Sequence, residues 1–235
     1  MNPKHIGIIL DGNRRFAKQL MKKPWEGHRY GLKKGREVLE WAIEKKIKYI
    51  TAYTLSLENL ESRPKAELDY ILKQLRNEMK EILGNKNHPV HKHQIKVNFI
   101  GRLSLLPDDL QDLMKTVEES SKDYSKHFLN LAVAYGGQQE IVDATKKIVE
   151  KCMKGVIKPE ELNEELLKHN LYTNGTPYPD LIIRSGGEKR LSNFLPFQSA
   201  YSELIFTDKN WPELEKEDFS SFLEEFLARK RRFGK

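Results

Sequence analysis

Short blocks of aspartate, asparagine, arginine, serine and glycine recur along the chain, each directly after an apolar run. Asp11-Gly12-Asn13-Arg14-Arg15 follows residues 5–10, and Ser56-Leu57-Glu58-Asn59, then Arg63, follows residues 49–55. Gly101-Arg102 follows residues 97–100, and Tyr135-Gly136-Gly137 closes the run 128–135. Arg184-Ser185-Gly186-Gly187-Glu188, with Arg190 and Ser192 close behind, closes the run 181–184. Such a set suits a diphosphate and a divalent cation. Arg184 and Arg190 carry forked donors that stay charged and match phosphate oxygens. Ser185, Ser192 and glycine amides could complete an anion nest. Asp11 and a distant acid such as Glu203 could hold Mg2+, which takes few carboxylates and completes its shell with substrate phosphates. Each piece alone has a plainer reading: paired glycines make turns, an Asp after a strand caps a helix, and Arg184 could be an ion-pair partner. Agreement among the ends of all these runs lifts the ligand reading above chance.

Elements must bring these blocks together. Residues 5–10 form a short, nearly continuous apolar run, the pattern of a buried strand. Residues 49–55, 97–100, 128–135, 181–184 and 204–206 also read as strands. Leu32, Gly35, Val38, Leu39, Ala42 and Ile43 recur at helical spacing, and Leu68, Ile71, Leu72, Leu75, Met79 and Ile82 form a stripe entered through Pro64. Helices are also expected over 107–124, 141–153 (ending at Gly155), 159–169 and 217–229. Strands alternating with helices of this length require crossovers, hence an α/β fold with a mainly parallel sheet flanked by helices. With no repeat, linker or internal boundary, residues 1–235 read as a single domain. In such open sheets ligands bind beyond the carboxyl ends of the strands, where the blocks fall.

With 38% apolar and 32% charged residues, the chain can offset its ordering entropy, which excludes disorder. Mean hydropathy is −0.67, and no apolar run approaches the roughly 20 residues of a membrane-spanning helix. Residues 6–10 are too brief for a signal peptide and run straight into Asp11. Cys152 is the one cysteine, so an internal disulfide and a thiolate cluster are excluded. A cytoplasmic, reduced protein is expected. The 41 basic and 34 acidic residues leave a net charge of +7, which favours anionic partners. Without zinc-finger spacing or an aromatic RNA-binding run, phosphorylated small molecules stand ahead of nucleic acid.

Other patterns carry less. Asp108-Asp109-Leu110-Gln111-Asp112 matches the DDxxD string of all-helical prenyl synthases, but it follows Pro107 at a helix start, where acids complement the dipole, and has no second copy. His88, His91 and His93 suggest zinc, yet no nearby Cys or carboxylate completes a set, so a solvated loop is expected. Ile8-Ile9-Leu10-Asp11-Gly12-Asn13 is faintly like the opening of aspartate-nucleophile phosphatases, which have a second Asp where this chain has Asn13.

Together the blocks resemble the cis-prenyltransferases, typified by undecaprenyl diphosphate synthase. The resemblance runs from His5 to the tail Arg231-Arg232-Phe233-Gly234. Its most specific parts are Asp11-Gly12-Asn13-x-Arg15, Gly27-His28-x-x-Gly31, Ser56-x-Glu58-Asn59 with Arg63-Pro64, and Arg184-Ser185-Gly186-Gly187-Glu188-x-Arg190-x-Ser192-Asn193-Phe194. It implies a homodimer, a hydrophobic tunnel between sheet and helices, and Mg2+-dependent addition of isopentenyl diphosphate to an allylic prenyl diphosphate (farnesyl or geranylgeranyl), each addition creating a cis double bond. The long-chain product would be of undecaprenyl type, the precursor of a glycosyl carrier lipid. By the same resemblance Asp11 handles metal and diphosphate, and Glu203 is the second metal ligand. Gly12, Asn13 and Arg15 cradle the allylic diphosphate beside His28, and Arg14 and Phe16 are substrate-binding neighbours. Asn59 assists proton removal with Arg63 and Glu67 near it, and Ser56, Leu57, Glu58 and Leu60 belong to the same substrate-binding block. Arg184, Arg190 and Ser192 clamp isopentenyl diphosphate, Leu191 is a further substrate-binding residue, and Arg232 lies in an Arg-x-Gly tail that reaches a site across the dimer.

The chain departs from the common bacterial pattern in places. Pro24 stands where an Arg is frequent, leaving Lys22 or Lys23 to substitute; Phe16 and Leu60 replace tryptophans; one extra residue separates Asn59 from Arg63; Lys189 replaces a His. No central polar group is lost, which argues against a non-catalytic subunit of the same fold, and Asn13 argues against a phosphohydrolase. Burying each five-carbon unit is worth roughly 4 kcal/mol, at about 0.8 per CH2-sized group, so a chain grows until its tunnel is full. Leu32, Leu39, Ile71 and Leu75 are candidate walls. A long product is insoluble in water, so transient contact with a membrane surface is expected; Arg229-Lys230-Arg231-Arg232 could help at about 1 kcal/mol per charge, though a solvated helix end complementing its dipole explains all but Arg232 equally well.

Overall fold

A strand of nearly continuous apolar residues must be covered on both faces, and β1 (His5–Ile9) is buried at every position. After it come α1 (Asn13–Gln19), α2 (Gly27–Glu44), β2 (Tyr49–Ser56), α3 (Leu57–Ser62), α4 (Lys65–Gly84), α5 (Pro89–Lys92) and β3 (Ile95–Ile100). The chain continues through α6 (Asp108–Ser121), β4 (His127–Tyr135), α7 (Gly137–Met153), α8 (Glu164–Asn170), β5 (Leu181–Arg184), β6 (Glu203–Phe206) and α9 (Lys216–Ala228). These elements come from a computed structural model, which describes residues 2–229. The strands form one six-stranded sheet in the order β3-β4-β2-β1-β5-β6, parallel throughout.

The expected α/β architecture holds, with boundaries moved by a few residues. Helix α7 begins at Gly137, ahead of its apolar stripe, and the stretch expected as a helix over 159–169 is a 3-10 turn (Pro159–Glu161) followed by α8. Helices α1, α3 and α5 were not foreseen, because each is too short to show an amphipathic period.

One sheet face carries two packed helix groups. Ile6, Ile8, Ile50, Leu181 and Ile183 pack with Val38 and Leu39 of α2 and with Phe219, Phe222 and Phe226 of α9. Farther along, Ile71, Leu75, Met79 and Ile82 of α4 join Leu110, Met114 and Val117 of α6 over Val97 and Phe99. Between α2 and α4 the same face stays half-buried at Ala52, Thr54, Leu129 and Leu131. Their alternation in β2 and β4 aims them at a space rather than at a neighbour. The opposite face is closed by Tyr53, Tyr135, Phe194 and Leu195. Strand β1 lies between β2 and β5, so the order in which strands are added reverses there and the carboxyl ends of β1 and β5 frame a crevice.

Candidate active site

Strand pairing places Arg184 of β5 in register with Ile9 of β1, two residues before Asp11. Gly12, at φ +101°, turns the chain from β1 into α1. The turn is held from behind: the Asp11 carbonyl accepts from Ser185 Oγ and from the Trp211 amide, each at 2.8 Å. The Asp11 carboxylate accepts from the Gly12 amide at 2.6 Å, from Arg15 Nη2 at 3.3 Å and from Arg184 Nη2 at 2.9 Å. Arg184, 4% exposed, also donates through Nη1 to Ser192 Oγ at 2.8 Å and to the Arg190 carbonyl. Ser192, Asn193 and Leu195 all have positive φ, a conformation that costs a non-glycine residue about 1–2 kcal/mol. Such strain gathers at functional loops. Asn193 Nδ2 ties this loop to Glu58 Oε1 at 2.8 Å.

A second charged group faces this one. Ser56 caps α3 by accepting from the Asn59 amide at 3.0 Å. Glu67, 2% exposed in the first turn of α4, accepts from Arg63 Nη1, and from His28 Nε2 at 3.4 Å, with Arg14 Nε 3.7 Å away. Burial, reinforced by the Arg63 guanidinium, pushes the His28 imidazole down to about 4, so it is neutral at physiological pH. Helix α2 can bring His28 here because Gly27 and Gly31 lack side chains: a Cβ at either would lie 1.9 and 2.2 Å from oxygens of Asn13.

Both groups rim a cavity of about 970 Å³ between the sheet and α2 and α4. Residues 11–15 reach it from β1, Ser56, Glu58, Asn59 and Arg63 from β2, Arg184 and Ser192 from β5, and His28 from α2. Beyond the rim the lining turns mainly apolar, with Leu32, Leu39, Ile71 and Leu75 in it, apart from Arg36, Gln74, Glu78 and His88 along one side. The expected hydrophobic tunnel is thus present, headed by charge. Arg63 Nε and Arg184 Nε are buried without a hydrogen-bond partner at its head, as is the acceptor Asn13 Oδ1. Two buried N–H groups of this kind are suited to anionic oxygens.

Several expected residues fall elsewhere. The ends of β3 and β4 do not reach the cavity: Arg102 is engaged with Asp143 through two hydrogen bonds of 2.9 Å, and Gly137 packs beneath Pro196. The Gly186 and Gly187 amides donate to the Lys209 and Thr207 carbonyls, and Ser185 is buried against the Asp11 backbone, so none offers the anion nest expected of them. Phe16 stacks edge-on against Tyr30, Leu57 and Leu60 turn into packing, and Leu191 joins the opposite face; none lines the cavity. Arg190 points outward to Glu188 and reaches the site only through its carbonyl. Arg232 lies outside the described residues, with the rest of its tail.

Glu203 requires the largest correction. It opens β6 in register with Leu181, three residues short of Arg184, which puts it about 10 Å back along the strand direction. There it accepts from Arg229 Nη1 at 2.8 Å. One chain therefore does not bring Glu203 and Asp11 to the same ion, and Arg229 is engaged rather than free for lipid. Among the described residues no cluster of three or more His, Cys, Asp or Glu could enclose a metal. Asp11 alone at the head of an anion site still fits Mg2+, which binds through one or two carboxylates plus substrate phosphates.

The remaining patterns resolve simply. Asp108 and Asp109 occupy the first turn of α6, where Asp109 accepts from Arg76. The histidines are not a solvated loop: His88 is buried against Glu78, His91 bonds the Ile82 carbonyl at 2.7 Å, and His93 bonds Glu40 at 2.6 Å. Asn193, quoted in the resembling block but given no role, stands on the rim, and Asn210-Trp211, which brace Arg15 and Asp11, were missed. The signal for Asn210-Trp211 was one more strand end, that of β6.

The family described as "Putative undecaprenyl diphosphate synthase" matches residues 9–234. A Pyrococcus abyssi protein named tritrans,polycis-undecaprenyl-diphosphate synthase (geranylgeranyl-diphosphate specific) is 46% identical over 233 residues, 99% of this chain and 87% of its own. A Methanocaldococcus jannaschii protein of the same name is 46% identical over 235 residues, 99% of this chain and 83% of its own. The solved lavandulyl diphosphate synthase of Lavandula x intermedia, in complex with dimethylallyl diphosphate, superposes with a TM-score of 0.93 at 33% identity, covering 100% and 99% of the two chains. A probable undecaprenyl diphosphate synthase from Campylobacter jejuni gives 0.81 at 34% identity, covering 100% of both. The charged rim, the apolar cavity and these likenesses agree: the chain belongs to the undecaprenyl diphosphate synthase family of cis-prenyltransferase enzymes.

Proposed function

We propose that residues 1–235 form one cis-prenyltransferase domain that extends geranylgeranyl diphosphate with isopentenyl diphosphate to a long-chain polyprenyl diphosphate of undecaprenyl type, the precursor of a glycosyl carrier lipid. The observation that carries this reading is the pairing of a charged rim with a long apolar cavity, which suits an anionic head on a growing hydrocarbon tail. The choice of geranylgeranyl over farnesyl diphosphate rests on the names of relatives at 46% identity. A structural neighbour holding dimethylallyl diphosphate supports an allylic diphosphate at the rim.

In this reading the allylic carbon–oxygen bond breaks, the diphosphate leaves, and the double bond of isopentenyl diphosphate attacks the freed carbon. A proton is then lost on the face that gives a cis double bond. Arg15, Asn13 and the Gly12 turn receive the allylic diphosphate, and Arg184 with Ser192 holds the isopentenyl diphosphate. Preset donors that meet developing negative charge lower the barrier. Asp11 is the carboxylate that would hold Mg2+, which when bound neutralises charge on the leaving diphosphate. Asn59 is too weak a base to act alone, so it orients the departing proton toward the released diphosphate. Neutral His28 gives its one N–H to Glu67 and steadies that carboxylate behind the rim without adding charge.

A homodimer would cover the face of α7 on which Val142, Val149 and Met153 are 48%, 50% and 83% exposed; analytical sedimentation measures it. No helix among the described residues is long and apolar enough to cross a membrane, and product release at a membrane surface follows from the insolubility of the product. The test of the reading is incubation with labelled isopentenyl diphosphate, Mg2+ and either primer, followed by chain-length separation of the dephosphorylated products. Extension of geranylgeranyl diphosphate in preference to farnesyl diphosphate supports it, and the reverse preference removes the primer assignment.

A further inference from the structure

One wall of the apolar cavity is thin and charged. Leu32 and Arg36 of α2, with Gln74 and Glu78 of α4, line the cavity on its inner side and also line a separate outer groove of about 440 Å³. Only side chains separate the two spaces there. Arg36 spans the gap with two hydrogen bonds to Glu78, Nε at 2.9 Å and Nη2 at 2.5 Å. His88, 3% exposed, holds Glu78 from behind at 3.2 Å. Its Nδ1 accepts from the Val90 amide, so Nε2 carries the proton that faces Glu78. Burial pushes the Glu78 carboxyl up, but hydrogen bonds from His88 and Arg36 outweigh it and leave it below the usual carboxylate range. The pair therefore stays ionised at neutral pH.

We propose that the Arg36–Glu78 pair is a latch in the side wall that sets product length. Closed, it ends the inner cavity in charge and stops the growing chain there; removed, it takes that stop away and widens the cavity toward the outer groove. The inference rests on the transferase reading. An apolar chain gains by burial until it meets charges it cannot satisfy, and long side chains such as Arg36 and Gln74 can swing their heads to solvent while their stems line a passage. Nearby Gly35 lines the cavity with no atom within 4 Å of where a Cβ would stand, so a side chain there takes room from the product.

The test is the product ladder made from labelled isopentenyl diphosphate by the full chain and its variants, each checked for a cooperative thermal transition. Arg36→Ala and Glu78→Gln should each move the most abundant product up by at least one five-carbon unit, and Gly35→Leu should move it down. Arg76→Ala removes an ion pair between α4 and the start of α6, away from the cavity lining, and should leave the ladder unchanged. If Arg36→Ala does not fold, Arg36→Met keeps the stem, removes the charge and stands in its place. An unchanged ladder in the Arg36 and Glu78 variants, beside a shortened one in Gly35→Leu, overturns the latch while sparing the transferase reading. No elongation by the unsubstituted protein overturns both.

Discussion

Arg184 reaches across the β1–β5 seam to Asp11, donating from Nη2 to Oδ2 at 2.9 Å, while its Nη1 holds Ser192 Oγ at 2.8 Å. The register of Ile9 with Arg184 makes this contact a consequence of strand pairing. One guanidinium thus fixes three segments of the rim and leaves its Nε buried and unpartnered.

A lysine cannot reproduce that fork. Arg184→Lys keeps one charge but loses the planar donors that serve Asp11, Ser192 and the Arg190 carbonyl together. The expected loss in kcat/KM for isopentenyl diphosphate is about 100- to 1,000-fold, the scale seen when one preset donor is removed. Steady-state kinetics on the folded variant check it; activity within about threefold of the parent would remove Arg184 from the clamp.

Gly12 allows neither a side chain nor a change of backbone. A Cβ would stand 2.5 Å from Asn210 Oδ1 and 2.7 Å from its Cα, at φ +101°. Gly12→Ala should cost roughly 1–3 kcal/mol of stability and displace Asp11, lowering kcat as well. Urea unfolding together with single-turnover rates measures both effects.

Metal binding should depend on substrate. With Asp11 and no surrounding ligand cluster among the described residues, Mg2+ should bind weakly to the free protein and tightly once a prenyl diphosphate analogue is present. Calorimetric titration with and without the analogue separates these cases. A chelator should abolish turnover and excess Mg2+ restore it; tight binding of Mg2+ to the free protein would contradict a substrate-borne metal.

Acid should weaken the fold through His5. Its Nδ1–H donates to the Pro177 carbonyl at 2.6 Å and its Nε2 pairs with Thr51 at 2.8 Å, and burial lowers its pKa from 6.5 to about 4, against an opposing pull from Asp180. Between those values the unfolded chain takes up a proton that the folded chain refuses, so stability falls as pH drops from 6.5 toward 4. The loss from this group approaches about 3 kcal/mol. Urea midpoints measured from pH 7 to 4.5 should fall, and His5→Leu should flatten the slope.

The alternation of strands and helices was legible because the buried strands are short and nearly continuous in apolar residues, and α2, α4 and α6 carry long stripes. Asp11, Asn59 and Arg184 were legible because parallel topology sends strand ends to one edge. Glu203 misled because its role came from the resemblance, although its place just before the apolar run 204–206 already set it at the amino end of β6, opposite the strand ends that form the rim. Gly186 and Gly187 misled for a related reason: their amides are taken by a segment after β6 that no local motif announces. The Arg36–Glu78–His88 group was hidden as well, since its members lie far apart in sequence and look like solvated helix charges and a loop.

The most direct measurement is the chain length of the products formed from labelled isopentenyl diphosphate and geranylgeranyl diphosphate with Mg2+, beside an Asp11→Ala variant and a chelator control. A ladder of five-carbon steps with cis double bonds, lost with the chelator and lost in the variant, is the expected result. An intact ladder in Asp11→Ala, or no ladder from folded parent protein with any allylic primer, would contradict the assignment of the charged rim as the site of prenyl transfer.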